Sequence, residues 1–347
     1  MEIVFGLMLV TLAGLGTGTS AWPMKIIKDF HFEQYLFVFM LTGLIIYPWL
    51  IVLLNVPDFT DVIRTVGWKP LIISNLMSAC WGIANILYLI GVVRIGAALT
   101  GAILSAVGLA IGVMIPMIFK GSGLFSNAPG IFSGAGMVIV SGLLVIIAGV
   151  ILVSIAGFGR EKILRKNDQS GRNKSTRTFF IKNLLLIILA GFLSSGISFA
   201  FVYSQGPIIE AVKQQGAGEI IANFSVWALG MPGGGLISVL YASYLMTKNK
   251  TWKQLLLGKA EIFYGSIIGM QFILSIVLMG RGMVLLGSLG ASIGFAIQQS
   301  MQITGNQLVG FISGEWKAVN GKPRKLMYTA IGIILIAILI LAYGNTV

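Results

Sequence analysis

Long apolar runs are the feature that most restricts how this chain can fold. Ten such runs follow one another through the 347 residues, each close to the ~20 residues that a helix needs to cross a hydrocarbon core. They lie at approximately 3–22, 35–54, 71–93, 95–119, 131–156, 183–205, 219–246, 260–280, 286–313 and 326–343. A spanning segment must satisfy its own backbone polar groups in lipid, so continuous runs favour helices over strands. We predict an all-α integral membrane protein with ten transmembrane helices.

The shortage of charged residues excludes a soluble enzyme. Only 10% of the residues are charged and 56% are hydrophobic, whereas soluble domains carry roughly 25% charged residues. The chain has one cysteine, Cys80, and one histidine, His31. A thiolate zinc cluster, a histidine-rich metal site and a Ser-His-Asp triad are therefore implausible. We expect no enzymatic activity, no metal and no cofactor.

The basic residues predict the orientation of the chain in the membrane. Lys and Arg total 24 against 11 Asp and Glu, and most of them fall in the loops after the odd-numbered runs. The positive-inside rule puts these loops in the cytoplasm and both termini in the periplasm of a bacterial inner membrane. We interpret the largest basic cluster as an orientation anchor beside membrane lipid rather than a nucleic-acid site. Its members are Arg160, Lys162, Arg165, Lys166, Arg172, Lys174, Arg177 and Lys182.

A duplicated organisation follows from the same cluster. Residues 157–181 form a basic cytoplasmic linker between a first five-helix repeat, 1–156, and a second, 182–347. Because each repeat has an odd number of segments, the two must face opposite ways across the membrane. The stretch 12–18 also resembles 189–196. We predict a 5+5 inverted repeat, an organisation that is common in secondary transporters.

The seventh run contains a helix-breaking sequence near its middle. Met231 is followed by Pro232 and then by Gly233, Gly234 and Gly235. Broken helices at membrane depth line a cavity or a joint that is buried in protein. The sequence leaves open whether the break is a hinge or a passive kink.

Polar side chains recur at helical spacing inside several apolar runs. Gln298, Gln302 and Asn306 are four residues apart and share one helix face. An unpaired carboxamide in hydrocarbon costs several kcal/mol, so this face must look onto water, solute or another helix. We expect the whole set to line a cavity that binds substrate, although each member alone could bond a neighbouring helix. The candidates are Asn75, Trp81, Asn85, Tyr88, Ser198, Tyr203, Gln205, Asn223, Trp227, Gln271, Gln298, Gln299, Gln302 and Asn306.

The chemistry of this set points to a neutral, hydroxyl-rich solute. We expect recognition of hydroxyl groups by the amides of Asn85, Gln271, Gln298 and Gln302, and stacking of a sugar ring on Trp81 or Trp227. A phosphate or nucleotide sugar would need buried cations, and none lies deep within a run.

Proton coupling requires a titratable group on the path. Glu210, which follows Gly206 and Pro207, is the leading candidate, and a solvated loop acid is its alternative interpretation. Lys25 could pair with an acid and release it, or extend to the membrane interface.

Several stretches of the sequence together form a recognisable pattern of order and spacing. These are residues 14–28 (GLGTGTSAWPMKIIK), Tyr47-Pro48-Trp49, residues 79–85 (ACWGIAN), residues 115–119 (IPMIF), residues 194–201, residues 206–211 (GPIIEA) and residues 314–317 (GEWK). By these stretches the sequence resembles the L-rhamnose–proton symporters of the drug/metabolite transporter superfamily over nearly its whole length. The resemblance implies ten helices in a five-plus-five inverted repeat, with alternating access around a central sugar site.

The chain departs from that family in segments 8 and 9. Residues 293–300 read IGFAIQQS where those symporters carry an aromatic and histidine-bearing stretch, and residues 271–275 read QFILS. A sugar other than rhamnose, or another small polar solute, fits these residues equally well.

The function predicted from the sequence is secondary transport of a neutral, rhamnose-like monosaccharide by alternating access, with protons as the coupling ion. The alternative is an uncoupled facilitator, or an exporter of small polar metabolites or drugs. A membrane enzyme would need a nucleophile, an acid/base pair or a metal set, and the chain offers none of these constellations.

Overall fold

The computed structural model describes residues 2–20, 22, 29–95, 97–120, 123–166, 177–314, 316–317 and 319–344. Within these residues all regular secondary structure is helical. The fifteen α-helices are α1 (Glu2–Thr19), α2 (Phe32–Leu41), α3 (Tyr47–Asn55), α4 (Phe59–Val66), α5 (Trp68–Ile95), α6 (Ala97–Ile118), α7 (Gly134–Lys166), α8 (Arg177–Ser194), α9 (Gly196–Gln214), α10 (Glu219–Gly230), α11 (Pro232–Asn249), α12 (Trp252–Leu257), α13 (Lys259–Leu285), α14 (Phe295–Ile312) and α15 (Lys322–Gly344). A π-helical turn, Thr42–Ile46, joins α2 to α3, and a second, Gly290–Gly294, precedes α14.

Helices occur at each of the ten apolar runs, but fewer than ten of the described helices are long and apolar enough to count as membrane spans. Among the described residues, seven helices are long and apolar enough to cross a membrane, or eight if the bent pair α10 and α11 forms one span. The stretch from Ile181 to Gln214, which includes α9, counts as one span. The two runs that do not qualify correspond to α6 and α14. In α14 the carboxamides that suggested a site also make the helix too polar.

The predicted break in the seventh run is confirmed. α10 ends at Gly230, α11 begins at Pro232, and the two helix axes meet at 46°. Proline lacks an N–H group, and its ring collides with the preceding turn of a helix. The backbone groups freed by the break must then find partners elsewhere.

α5 supplies those partners. Asn75 Nδ2 donates to Leu229 O across 2.8 Å, and the backbone N–H of Gly233 donates to Asn75 Oδ1 across 2.9 Å. Ser78 Oγ donates to Met231 O at 2.7 Å and accepts from Gly234 N at 3.0 Å. The break is therefore a joint buried in protein, with its backbone satisfied by two side chains of one neighbouring helix.

The helices pack in corresponding pairs from the two halves of the chain. α1 packs against α13 and α14, and α8 packs against α5 and α6. α2 packs against α11, and α7 packs against α15. Each of these helices can be numbered by the apolar run in which it lies. When runs 1–5 are exchanged with runs 6–10, the contacts of α1 with α13 and α14 become the contacts of α8 with α5 and α6. The same exchange leaves the α2–α11 and α7–α15 contacts unchanged.

The helices that flank the basic linker extend beyond the predicted boundaries. α7 continues ten residues past position 156, to Lys166, and α8 begins at Arg177. The described part of the 157–181 segment is therefore helical at both ends.

Large apolar side chains on the outside agree with a lipid environment. Leu144, Leu189, Leu240 and Leu339 are each more than half exposed. Soluble monomers rarely expose apolar patches of this extent. The described chain is thus an integral membrane protein by its helices and by its surface.

Candidate functional site

A cavity of about 230 Å³ lies between α1, α5, α6, α8, α9, α10, α13 and α14. The predicted candidates that line it are Trp81, Asn85, Ser198, Trp227, Gln298, Gln299, Gln302 and Asn306. Pockets for drug-sized ligands occupy roughly 300–1,000 Å³. This cavity is smaller, and its size suits a solute as small as a monosaccharide.

The amide stripe of α14 forms one wall of the cavity. Gln298 is buried, Gln299 and Gln302 are half-buried, and Asn306 is exposed. The helical spacing seen in the sequence therefore leads from the protein interior to an accessible end. A polar solute moving along this stripe meets carboxamides at each turn of the helix.

Close packing of α1 on α14 fixes the buried end of this stripe. A Cβ atom on Gly14 would overlap the carbonyl oxygen of Gln298, and one on Gly18 would overlap that of Gln302. Small residues four apart allow helix backbones to approach closely in lipid. The approach lets Gln298 Nε2 donate to Thr17 Oγ1 at 2.9 Å. Within α14 the same nitrogen also lies 3.4 Å from Gln302 Oε1.

Three hydroxyl groups on the other helices add to the polar lining, but their protons are already engaged in hydrogen bonds. Ser198 Oγ donates to Gly112 O at 2.9 Å, Ser194 Oγ to Gly191 O at 2.7 Å, and Ser275 Oγ to Gln271 O at 2.8 Å. These oxygens retain lone pairs and can only accept from a solute while these bonds persist.

Aromatic and aliphatic side chains complete the cavity. Trp81 is half-buried, whereas only 6% of Trp227 is exposed and its ring lies 5.4 Å from that of Phe201. The remaining apolar lining comprises Leu104, Leu109, Ile197, Phe201, Val202, Phe272, Ile276, Met279, Met283, Ala291, Phe295 and Ile303. Sites for small solutes commonly combine such apolar walls with a few polar groups.

None of the described residues that line the cavity is charged. A buried ion without a counter-charge is strongly penalised. The lining therefore suits a neutral solute and is unsuited to a phosphate or carboxylate. This agrees with the class of solute expected from the sequence.

Other predicted residues lie outside the cavity and bond neighbouring helices. Asn75 holds the break between α10 and α11, as described above. Gln271 Nε2 donates to Gly16 O at 2.7 Å and to Thr19 Oγ1 at 3.0 Å, and Gln271 Oε1 accepts from Trp22 Nε1 at 3.1 Å. Gln271 thus ties α13 to α1, and the structure does not bring it to the cavity with the other amides.

The four remaining candidates are also absent from the lining. Tyr203 stacks with Phe119 and Phe199. Tyr88 lies beside Gly101 of α6, and Gln205 is buried next to Gly123. Asn223 Nδ2 donates to Glu219 O at 2.8 Å, one turn earlier in α10.

Of the two candidates for proton coupling, only Glu210 is among the described residues, and it lies away from the cavity. Glu210 is exposed and lines a second cavity of about 390 Å³ with Thr65 and Pro207. Lys25 lies outside the described residues.

Several lining residues were missed by the sequence analysis. Thr17, Ser105, Ser194 and Ser275 contribute hydroxyls, and α6 contributes a wall that was not expected. Ser105 lies three residues before Gly108, a spacing that could have marked this face of α6. The apolar members carried no signal, because an apolar residue in a membrane helix looks the same whether it faces lipid or a cavity.

Comparison with known proteins gives one family over the full chain. The profile of the L-rhamnose-proton symport protein family matches residues 1–347. The L-rhamnose-proton symporter of Yersinia pestis (strain Pestoides F) is 23% identical over 352 residues, covering 99% of this chain and 98% of that protein. The protein of the same name from Pectobacterium carotovorum subsp. carotovorum (strain PC1) is 24% identical over 333 residues, covering 93% and 92%.

Proposed function

The chain belongs to the L-rhamnose-proton symport protein family, and we propose that it carries a neutral monosaccharide together with protons across the bacterial inner membrane. The single observation that carries the choice of solute is the uncharged cavity, in which carboxamides face indole and phenyl rings. Amides bond sugar hydroxyls, and aromatic faces cover the C–H surface of a sugar ring. The family is one of transporters, so no enzymatic step is assigned.

The solute is a rhamnose-like monosaccharide, and the cavity is its binding site. The named relatives are L-rhamnose-proton symporters, which makes L-rhamnose the first sugar to test. Asn85, Gln298 and Gln302 bind hydroxyl groups, and Trp81 supplies a stacking face because it is the less buried of the two lining tryptophans.

Transport proceeds by alternating access between two oppositely oriented repeats of five segments. The exchange of contacts between runs 1–5 and runs 6–10 supports this organisation. The proposal extends to membership of the drug/metabolite transporter superfamily. Both termini are periplasmic, and the basic cluster around residues 157–181 lies beside cytoplasmic lipid.

Proton coupling involves a group outside the sugar cavity, because no described lining residue titrates near neutral pH. Glu210 is the proposed proton site, and Lys25 is a separate candidate that pairs with an acid and releases it. Glu210→Gln should uncouple sugar movement from the proton gradient while sugar exchange without a gradient continues. Unchanged proton-driven accumulation in Glu210→Gln would remove this assignment.

The experiment that tests the function is uptake of radiolabelled L-rhamnose and other monosaccharides into proteoliposomes that hold an imposed proton gradient. We expect accumulation above equilibrium, and a protonophore should abolish it. Accumulation that survives the protonophore would overturn proton symport. Equilibration without accumulation would favour an uncoupled facilitator, which family membership does not favour.

A further inference from the structure

Two buried N–H donors in the wall of the cavity have no hydrogen-bond partner within the described part of the chain. They are Trp227 Nε1 and Asn85 Nδ2. Nearly all buried polar groups in folded proteins are paired, and an unpaired one costs about 1–3 kcal/mol. Two unpaired donors that line one cavity therefore need an explanation.

The ring of Trp227 is almost entirely buried, so little of its face is left for a sugar ring to stack on. Only 6% of the residue is exposed, and Phe201 packs against it at 5.4 Å with the ring planes 34° apart. Across from the indole nitrogen lies Gly280 of α13. If Gly280 carried a Cβ atom, the nearest described atom outside the backbone of its own helix would be Trp227 Nε1, at 3.9 Å. The glycine thus leaves space beside the N–H group.

Four other polar groups of the lining differ from these two, because their donor atoms already have partners. Gln298 Nε2 bonds Thr17, and the hydroxyls of Ser194, Ser198 and Ser275 bond backbone carbonyls. These four donors are already engaged, whereas Asn85 Nδ2 and Trp227 Nε1 have no partner among the described residues.

We infer that Trp227 Nε1 and Asn85 Nδ2 each donate a hydrogen bond to an oxygen of the bound solute, and so determine which sugars the cavity accepts. This inference rests on the proposed function. Trp227 is then a hydrogen-bond donor rather than the stacking platform expected from the sequence. A solute must present two acceptor oxygens, which hydroxyl groups or a ring oxygen provide.

The location of the two donors connects recognition with the transport cycle. Asn85 belongs to α5 in the first half of the chain, and Trp227 belongs to α10 in the second half. A solute that accepts from both bridges the two halves. It therefore stabilises the arrangement in which the halves close around it, and a solute with one acceptor stabilises that arrangement less.

The first test uses the wild-type protein and a series of monodeoxy analogues of whichever monosaccharide it transports. Binding is measured by isothermal titration in detergent. Loss of an oxygen that accepts from a buried donor should weaken binding about tenfold, because the donor is left unpaired. We expect this loss at each hydroxyl group that accepts from Asn85 Nδ2 or Trp227 Nε1. Equal binding of every monodeoxy analogue would overturn the inference while leaving sugar transport intact.

The second test uses Trp227→Phe, which removes the N–H group and keeps an aromatic ring against Phe201. Affinity for the parent sugar should fall about tenfold. One deoxy analogue lacks the oxygen that would accept from Trp227 Nε1. It cannot form this hydrogen bond with either protein, so it should bind wild type and variant with the same affinity. Wild-type affinity in a folded Trp227→Phe protein would contradict the role assigned to the nitrogen.

Trp252→Phe is the matched control. It also removes an indole N–H group, but that group bonds Thr247 Oγ1 at 3.0 Å on an exposed part of the chain. Its sugar affinity should equal that of wild type. If Trp227→Phe does not elute as a folded protein, the analogue series on the wild type decides the matter. Failure of the wild type to bind any sugar would instead contradict the proposed function itself.

Discussion

The backbone N–H of Gly233 donates to Asn75 Oδ1 across 2.9 Å, and this bond fixes the broken seventh segment to α5. The same Asn75 side chain donates to Leu229 O on the other side of the break. One carboxamide therefore spans the gap between two helices whose axes differ by 46°. The arrangement explains how a proline can interrupt a membrane helix without leaving its backbone groups unpaired.

Gly233→Ala should destabilise the fold. A Cβ atom at this position would overlap the backbone oxygen of Asn75, and a backbone atom cannot move aside as a flexible side chain can. Overpacking of this kind costs about 1–3 kcal/mol or more. The measurement is the yield of monodisperse protein in size-exclusion chromatography, together with the midpoint of thermal unfolding.

Gly332→Ala is the control for that variant. Gly332 lies inside α15, and a Cβ atom there would meet nothing within 4 Å. Because alanine favours helix over glycine by about 1 kcal/mol, this variant should unfold at the wild-type temperature or above it. Equal stability of the two variants would contradict the close approach of α11 to α5.

Asn75→Ala should lower stability without lowering the affinity for sugar. The change leaves Gly233 N–H and Leu229 O unpaired, at about 1–3 kcal/mol for each buried group. The thermal midpoint should fall, and the sugar dissociation constant of the remaining folded protein should stay the same because Asn75 does not line the cavity. A weaker affinity at wild-type stability would place Asn75 in the binding site.

Asn85→Ala should show the opposite behaviour. Its Nδ2 has no partner among the described residues, so its removal breaks no described bond of that nitrogen. We expect transport to be abolished while the thermal midpoint is unchanged or slightly raised, as is common where a binding group is held at some cost to stability. Normal uptake would count heavily against the assigned cavity.

Gln298→Ala should abolish transport with near-normal expression. The variant removes the buried end of the amide stripe and its bond to Thr17. Gln307→Ala is the matched control, since Gln307 lies on the same helix but outside the cavity lining. Uptake of L-rhamnose by cells that express each variant compares them directly. Equal loss in both would indicate a general defect of α14.

The ion pair between Glu219 and Arg281 should contribute little to stability. Arg281 Nη1 lies 2.7 Å from Glu219 Oε2, but the two side chains are 31% and 43% exposed. Exposed ion pairs contribute about 0–1 kcal/mol. A double-mutant cycle with Glu219→Gln and Arg281→Gln, measured by unfolding at low salt, should give a coupling below about 1 kcal/mol. A larger coupling would mean that the pair is shielded from solvent.

Much of the architecture could be predicted from the sequence. The apolar runs located every long helix, and the sequence Met231-Pro232 located the break in the seventh segment. The four-residue spacing of Gln298, Gln302 and Asn306 identified a wall of the cavity. These features are local, because the periodicity of a helix alone decides which residues share a face.

The sequence could not decide which group each polar side chain faces in the folded protein. Asn75 and Asn85 belong to the same helix and the same residue type, yet the first bonds a broken backbone and the second faces the cavity. In the sequence Gln271 looked equivalent to Gln298, but its amide nitrogen donates both of its hydrogen bonds to α1.

The sequence by itself determined that this protein lies in lipid, where its helices are, and that no charged residue lies near the middle of an apolar run. These features depend on composition and on spacing along one segment. The tertiary structure alone decided which amides remain available to a solute. A hydrogen bond between helices depends on how closely their backbones approach, and that approach is set by glycines on both partners rather than by the polar residue itself.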